Sequence, residues 1–149
     1  MSDNRPRVVV TAGSFDLLHV GHLALFRECK KLAGDYGVVV VAVNTDEFVA
    51  KFKREPIVPF IDRAAMVRAI RYVDDVVAND GLDQSALIDS LSPDILVIGV
   101  DWAAKNYYEQ IGVTQDWLHE RNISLVYVAH EHTNTVSTSL IRSRATRYA

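Results

Sequence analysis

Two histidines three residues apart, His19 and His22, enclose Gly21 and follow an apolar run of valines at 8–10. Imidazoles at this spacing could cap and pack a helix start, ligate a metal, or donate hydrogen bonds to phosphate. A metal site would draw on His130 and His132, but no acidic or thiol ligand stands at a spacing that completes the set. We favour phosphate binding, because a glycine lets polyphosphate approach the backbone and a helix N-terminus attracts anions.

Strand-like and helix-like segments alternate along the chain, which predicts an α/β fold. Apolar runs at 8–10, 38–43 and 95–100 are typical of strands buried on both faces of a parallel sheet, and weaker runs occupy 76–78 and 125–129. Helical periodicity covers 23–32, 65–73, 86–91 and the stretch from Trp117 onward, and a basic, proline-containing loop spans 51–59. The sequence predicts one Rossmann-like domain over 1–149, with a five-stranded parallel sheet and helices on both faces.

Chemically distinctive residues follow the predicted strands. The first strand leads into 13–16 and the histidine pair, the second into 44–46, the fourth into Asp101 and Trp102, and the fifth into 130–139. Ligands of open α/β sheets bind beyond the carboxyl ends of the strands. These segments therefore predict a single site at that edge.

Composition narrows the class of protein. A length of 149 residues suits one domain, and a net charge of −3 gives no reason to expect a nucleic-acid or membrane partner. No apolar run approaches the ~20 residues that cross a bilayer, and the polar N-terminus has no signal-peptide pattern. The single cysteine, Cys29, lies on an apolar helical face, which predicts a packed core residue in a cytoplasmic protein.

The stretch GSFDLLHVGH at 13–22 resembles the Gly-[Ser/Thr]-Phe-Asp-x-x-His-x-Gly-His signature of the HxGH nucleotidyltransferase superfamily. It is most similar to the cytidylyltransferase family, in particular the glycerol-3-phosphate cytidylyltransferases. Four further segments carry the resemblance: NTDEF at 44–48, RAAMVRAIRYVDDVV at 63–77, GVDW at 99–102 and VSTSLIRSR at 136–144.

The resemblance implies transfer of a cytidylyl group from CTP to a phosphorylated small alcohol, by default glycerol 3-phosphate, by direct in-line attack with release of pyrophosphate. It further implies Mg²⁺ with the nucleotide, and a homodimer. Two alternatives stay open. One is an adenylyltransferase of the same superfamily that uses ATP and a sugar phosphate or coenzyme precursor. The other is a non-catalytic nucleotide- or metal-binding module.

The resemblance also assigns roles residue by residue. The implied catalytic residues are His19, His22, Lys51, Lys53, Arg63, Ser137 and Thr138. The implied nucleotide-binding residues are Gly13, Ser14, Phe15, Gly21, Arg71, Asp101, Trp102 and His132, and no metal ligand is assigned. Structural alternatives remain for some of them, since Ser137 and Thr138 are also N-cap candidates and the basic loop could simply be solvated. Arg68 has no counterpart in the family and is expected to be a surface charge.

Two departures from the family concern the acceptor. His132 stands where the family usually has an arginine, and imidazole lacks the two-pronged geometry of guanidinium. The family's tryptophan and lysine near the start of the fourth helix are replaced by residues 81–85, GLDQS. The sequence therefore leaves the reaction class intact and the acceptor open.

Overall fold

The computed structural model describes residues 4–99, 112–129 and 136–148. Five strands form one sheet: β1 (Val8–Gly13), β2 (Val38–Asn44), β3 (Asp75–Asn79), β4 (Ile95–Gly99) and β5 (Ser124–Val128). The described residues also form the helices α1 (Val20–Ala33), α2 (Asp46–Ala50), α3 (Phe60–Arg68), α4 (Gln84–Leu91), α5 (Gln115–Glu120) and α6 (Thr138–Thr146).

The sheet is parallel throughout, in the order β3-β2-β1-β4-β5. The chain runs outward from β1 to β2 and β3, and then returns to place β4 on the other side of β1. This reversal makes the β1/β4 boundary the switch point at which such sheets bind ligands. The loop after β1, which carries the histidine pair, lies at that point.

Helices cover both faces of the sheet, as the sequence predicts. Successive strand residues point to opposite faces, so Val9 and Val10 enter different cores. On one face, strand valines pack against α1 and α3 through Phe26, Cys29, Ala64 and Val67. On the other, Val40 and Leu96 pack against α4 and α5 through Ile88 and Leu118. The predicted Rossmann-like architecture is confirmed, and Cys29 is fully buried as expected.

The structure corrects one helix prediction and contains one helix that the sequence analysis does not predict. The periodicity at 65–73 predicts a helix there, but α3 begins at Phe60, after Pro59 as N-cap, and ends at Arg68. The apolar residues beyond it, among them Ile70 and Val73, lie in a turn and pack on the first core. The short helix α2 is not predicted, although Thr45 is an N-cap residue type followed by two acidic residues that favour a helix start.

Within the part of the chain that the structure describes, no helix has the length and apolar character needed to span a membrane.

Candidate active site

The histidine pair caps helix α1 with its own side chains. His19 is the N-cap, and its Nδ1 accepts a hydrogen bond of 3.1 Å from the Gly21 N–H. His22 Nδ1 accepts one of 3.2 Å from the His19 N–H, which completes a reciprocal capping box. An imidazole nitrogen that accepts a backbone N–H carries no proton, so the neutral rings hold their protons on Nε2. Each histidine is therefore an Nε2–H donor fixed to a helix N-terminus.

Packing behind the pair fixes the two rings. The imidazoles stack with centroids 3.8 Å apart, and the ring of Phe15 meets His22 edge-on at 5.3 Å. Phe15 itself is buried and also contacts Phe26 in the first core. Phe15 thus supports His22, and its predicted contact with the nucleotide stays a prediction.

Two glycines make this packing sterically feasible. A Cβ at Gly13 would lie 2.9 Å from Phe15 Cζ. A Cβ at Gly21 would lie 2.8 Å from His19 Cε1 and 3.2 Å from Val136 Cγ1. Gly21 therefore admits both the imidazole and the segment that enters α6, so that the N-termini of α1 and α6 adjoin. The predicted contact of Gly13 and Gly21 with the nucleotide stays a prediction.

Arg63 is the most highly connected side chain near the site. Its Nε donates to Val58 O at 2.8 Å, and its Nη1 donates to Ser14 O at 2.6 Å and to Asn44 O at 2.9 Å. Its Nη2 pairs with Asp46 Oδ1 at 2.7 Å, and the side chain is 0% exposed. These contacts show that Arg63 positions the loop after β1, the end of β2 and the start of α2. Its predicted catalytic contact stays a prediction.

Asp16 is a site residue that the sequence analysis does not single out. Its carboxylate accepts hydrogen bonds from the N–H groups of Ile57 and Val58, at 2.9 and 3.0 Å, and from Arg142 Nη2 at 2.8 Å. Burial by itself raises the pKa of Asp16, but these hydrogen bonds and the Arg142 charge outweigh it and leave the pKa below 3.8. The sequence feature that could have identified Asp16 as a site residue is its place within the 13–22 motif.

The start of α6 is tied to the same aspartate. Ser137 is the N-cap and its Oγ accepts from the Leu140 N–H at 3.1 Å, which confirms the N-cap prediction. Thr138 Oγ1 donates to Asp16 O at 2.7 Å. Phosphate contact by Ser137 and Thr138 stays a prediction.

The basic loop at 51–59 is ordered, irregular and largely exposed, as expected. Asp16 holds its distal part at Ile57 and Val58. In its proximal part, Lys53 Nζ lies 5.7 Å from the centroid of the Phe52 ring. Lys51 and Lys53 are both exposed, and their contact with phosphate stays a prediction.

The remaining predicted residues fall into two groups. Arg71 is exposed and lines a cavity of about 470 Å³ between α1 and the turn after α3, together with Val20 and Tyr72. Asp101, Trp102 and His132 lie outside the described residues. Arg68 is exposed, which confirms it as a surface charge.

We searched the described residues for side chains that could ligate a metal ion. Among the residues described, no group of three or more His, Cys, Asp or Glu side chains is arranged to hold an ion. Mg²⁺ usually keeps several waters and binds through the phosphates of a nucleotide rather than in an all-protein cage. Binding of Mg²⁺ together with the triphosphate stays a prediction.

The sequence profile of cytidylyltransferase-like proteins matches residues 10–144. The chain belongs to the cytidylyltransferase-like family. This membership confirms the superfamily resemblance and the predicted enzyme class, a nucleotidyltransferase.

Relatives of this cytidylyltransferase-like chain include two proteins named FAD synthase. The FAD synthase of Pyrococcus abyssi is 48% identical over 103 residues, which cover 68% of each chain. The FAD synthase of Methanopyrus kandleri is 42% identical over 93 residues, and the match spans 62% of each chain, a little under two thirds of that relative. The crystal structure of a lipopolysaccharide core biosynthesis protein from Thermoplasma volcanium superposes with a TM-score of 0.65 and 25% identity, covering 84% of this chain and 98% of that one.

Proposed function

We propose that this chain transfers an adenylyl group from ATP to the phosphate of flavin mononucleotide (FMN), forming FAD and pyrophosphate. The relatives named FAD synthase support this proposal, at identities of 42% and 48%. FAD is FMN joined through its phosphate to AMP, so its synthesis is a nucleotidyl transfer to a phosphate acceptor. The comparison favours the adenylyltransferase alternative over CTP and glycerol 3-phosphate, the substrates first expected from the sequence.

The reaction needs no protein nucleophile. An oxygen of the FMN phosphate attacks the α-phosphorus of ATP and forms the new P–O bond. The bond from that phosphorus to the oxygen bridging the β-phosphate breaks, and its electron pair leaves with pyrophosphate. Catalysis then depends on in-line positioning and on neutralising charge in the transition state.

The observation that carries the proposal is the pair of hydrogen bonds that the two histidines accept at Nδ1. Because both Nδ1 atoms accept backbone N–H groups, both Nε2–H groups can donate to phosphate oxygens without changing the protonation of the rings. The N-terminus of α1 adds a partial positive charge at the same place. Lys51 and Lys53 would meet the triphosphate from the basic loop, where bound Mg²⁺ would screen its remaining charge.

A pyrophosphate-release assay tests the proposal. ATP, CTP, GTP and UTP are each combined with FMN, glycerol 3-phosphate or a sugar phosphate, and the products are separated by chromatography. We expect ATP with FMN to give FAD and pyrophosphate in equal amounts. Turnover of CTP with glycerol 3-phosphate but not of ATP with FMN would overturn the proposal. Turnover of ATP with a sugar phosphate alone would retain adenylyl transfer and exclude the flavin acceptor.

The expected homodimer is a separate proposal. Light scattering coupled to size-exclusion chromatography measures the mass in solution, which we expect to be twice the 16.7 kDa of one chain.

A further inference from the structure

A chain of side-chain amides crosses the carboxyl ends of β2 and β3. Asn44 and Asn79 are the last residues of these strands and are partners in the ladder, with only 9% and 4% of their surface exposed. Asn79 Nδ2 donates to Asn44 Oδ1 at 3.0 Å, and Asn44 Nδ2 donates to Ser14 Oγ at 3.3 Å. At the other end, Asn79 Oδ1 accepts from the Gly81 N–H at 3.1 Å and from Gln84 Nε2 at 2.6 Å.

One backbone group sets the donor-to-acceptor direction of all the hydrogen bonds in this row of amides. The Gly81 N–H can only donate, so Asn79 must turn its oxygen toward Gly81 and its NH₂ toward Asn44. Asn44 then presents its oxygen to Asn79 and its own NH₂ to Ser14. Ser14 Oγ is therefore an acceptor in this chain. A hydroxyl has a single proton, and that of Ser14 is directed to a partner other than Asn44.

Ser14 lies in the loop between β1 and the histidine pair, and Arg63 anchors its carbonyl oxygen at 2.6 Å. This loop lies at the switch point of the sheet, where a nucleotide is expected. Phosphate oxygens only accept hydrogen bonds, so a hydroxyl helps to bind them only when its proton points outward from the protein. A buried amide that donates to the hydroxyl enforces this orientation.

We propose that Asn44 and Asn79 are positioning residues that hold the Ser14 hydroxyl as a hydrogen-bond donor to a phosphate oxygen of the bound nucleotide. The inference rests on the nucleotide site of the proposed function and adds two residues to it. It does not depend on the identity of the acceptor.

Two substitutions, each replacing one side-chain NH₂ by an oxygen, reverse the direction of the hydrogen bonds that lead to Ser14. In Asn44→Asp, a carboxylate oxygen faces Ser14 and accepts a hydrogen bond from its hydroxyl, which turns the proton away from the nucleotide. In Asn79→Asp, the carboxylate accepts from Asn44 Nδ2, which turns the Asn44 amide over and brings its oxygen to Ser14. We expect either variant to bind ATP about 10- to 100-fold more weakly, the range for one hydrogen bond to a charged group.

The control variant is Gln84→Leu. Gln84 also donates to Asn79 Oδ1, but Gly81 still fixes the direction of the chain when Gln84 is absent. We expect its affinity for ATP to stay within about 3-fold of wild type, the range of a change with no effect on Ser14.

A double-mutant cycle with Ser14→Ala separates positioning from mere disturbance. Ser14→Ala alone should weaken ATP binding by about 10- to 100-fold, since it removes the same donor. In the Ser14→Ala background, Asn44→Asp and Asn79→Asp should add less than about a further 3-fold, because no proton is left to redirect. Equal losses in both backgrounds would show charge repulsion or local disorder instead and would overturn the proposal.

The dissociation constants of ATP and CTP, measured by calorimetry without acceptor, are the readout. Thermal unfolding identifies variants that do not fold. Ser14→Ala introduces no buried charge, so wild-type affinity in that variant overturns the proposal even if both Asp variants fail to fold. An enzyme that binds nucleotide but makes no FAD would contradict the proposed function. The double-mutant cycle would still test the positioning of Ser14, because it measures only nucleotide affinity. A wild-type chain that binds neither nucleotide would overturn both.

Discussion

Single side chains in this protein serve the fold and the predicted chemistry together. His19 and His22 each use Nδ1 to cap α1, and this use determines that Nε2 is the donor. Alanine at position 19 would therefore remove a helix cap as well as a phosphate donor, and its effects would be mixed. Asparagine separates them, since its amide oxygen is among the best N-cap acceptors.

We predict that His19→Asn lowers kcat by about 10²- to 10³-fold, because one donor to the transition state is lost. Its free energy of unfolding should change by less than about 0.5 kcal/mol, since the cap is retained. Rates of pyrophosphate release and urea unfolding curves measure the two quantities. His119→Asn, at an exposed histidine of α5, is the matched control and should leave both unchanged. Near-normal turnover in His19→Asn would contradict phosphate binding by His19.

Secondary-structure elements are joined near the site by one helix residue. Arg63 extends from α3 to the loop after β1, to the end of β2 and to the start of α2. Removing it leaves the carboxylate of Asp46 without this partner and three carbonyl groups without their donor. Breaking such a buried network costs far more than its formation contributes, because the desolvated groups stay behind.

Substitution on α3 tests this role. We expect Arg63→Met to lower the free energy of unfolding by about 3–5 kcal/mol, because three carbonyl oxygens lose their donor at about 1–3 kcal/mol each. Arg68→Met, on the exposed side of the same helix, should change it by less than about 0.5 kcal/mol. Urea denaturation of both variants gives the comparison. A direct catalytic role for Arg63 would instead show as a loss of turnover at unchanged stability.

At the scale of the whole molecule, Asp16 links parts of the chain that are far apart in sequence. It binds the basic loop at Ile57 and Val58 and helix α6 at Arg142, which is 126 residues away. Hydrogen bonds to its ionised form make the stability of this assembly depend on pH. Folding lowers the pKa of Asp16, so the ionised carboxylate stabilises the fold fully at pH values above 3.8. This contribution is lost as the pH falls through the lowered pKa of the folded state.

We predict that Asp16→Asn lowers the free energy of unfolding by about 2 kcal/mol at neutral pH. This is less than the ~3–5 kcal/mol of a fully buried pair, because asparagine keeps one acceptor oxygen. The difference in free energy of unfolding between wild type and Asp16→Asn should shrink at a pH well below 3.8, where wild-type Asp16 is itself protonated. Urea unfolding across pH measures it. A difference that is constant with pH would show that the ionised form contributes nothing.

The sequence alone determined the fold and the class of reaction. Apolar runs at 8–10, 38–43 and 95–100 specify buried parallel strands. The motif at 13–22 identifies the nucleotidyltransferase superfamily and lies at the carboxyl end of the first strand. Both signals are local, carried by residues close together in the chain. For the same reason, the N-cap at Ser137 and the burial of Cys29 could be predicted.

Only the tertiary structure decided which charged and polar groups meet. Asp16 reaches Arg142, Arg63 reaches Ser14, and Asn44 pairs with Asn79 across positions that are distant in sequence. No periodicity or motif encodes such pairs, because they depend on how strands and helices align in space. Thus the structure shows that Arg63 is buried and joins several elements, and that Asp16 links the loop after β1 to the last helix.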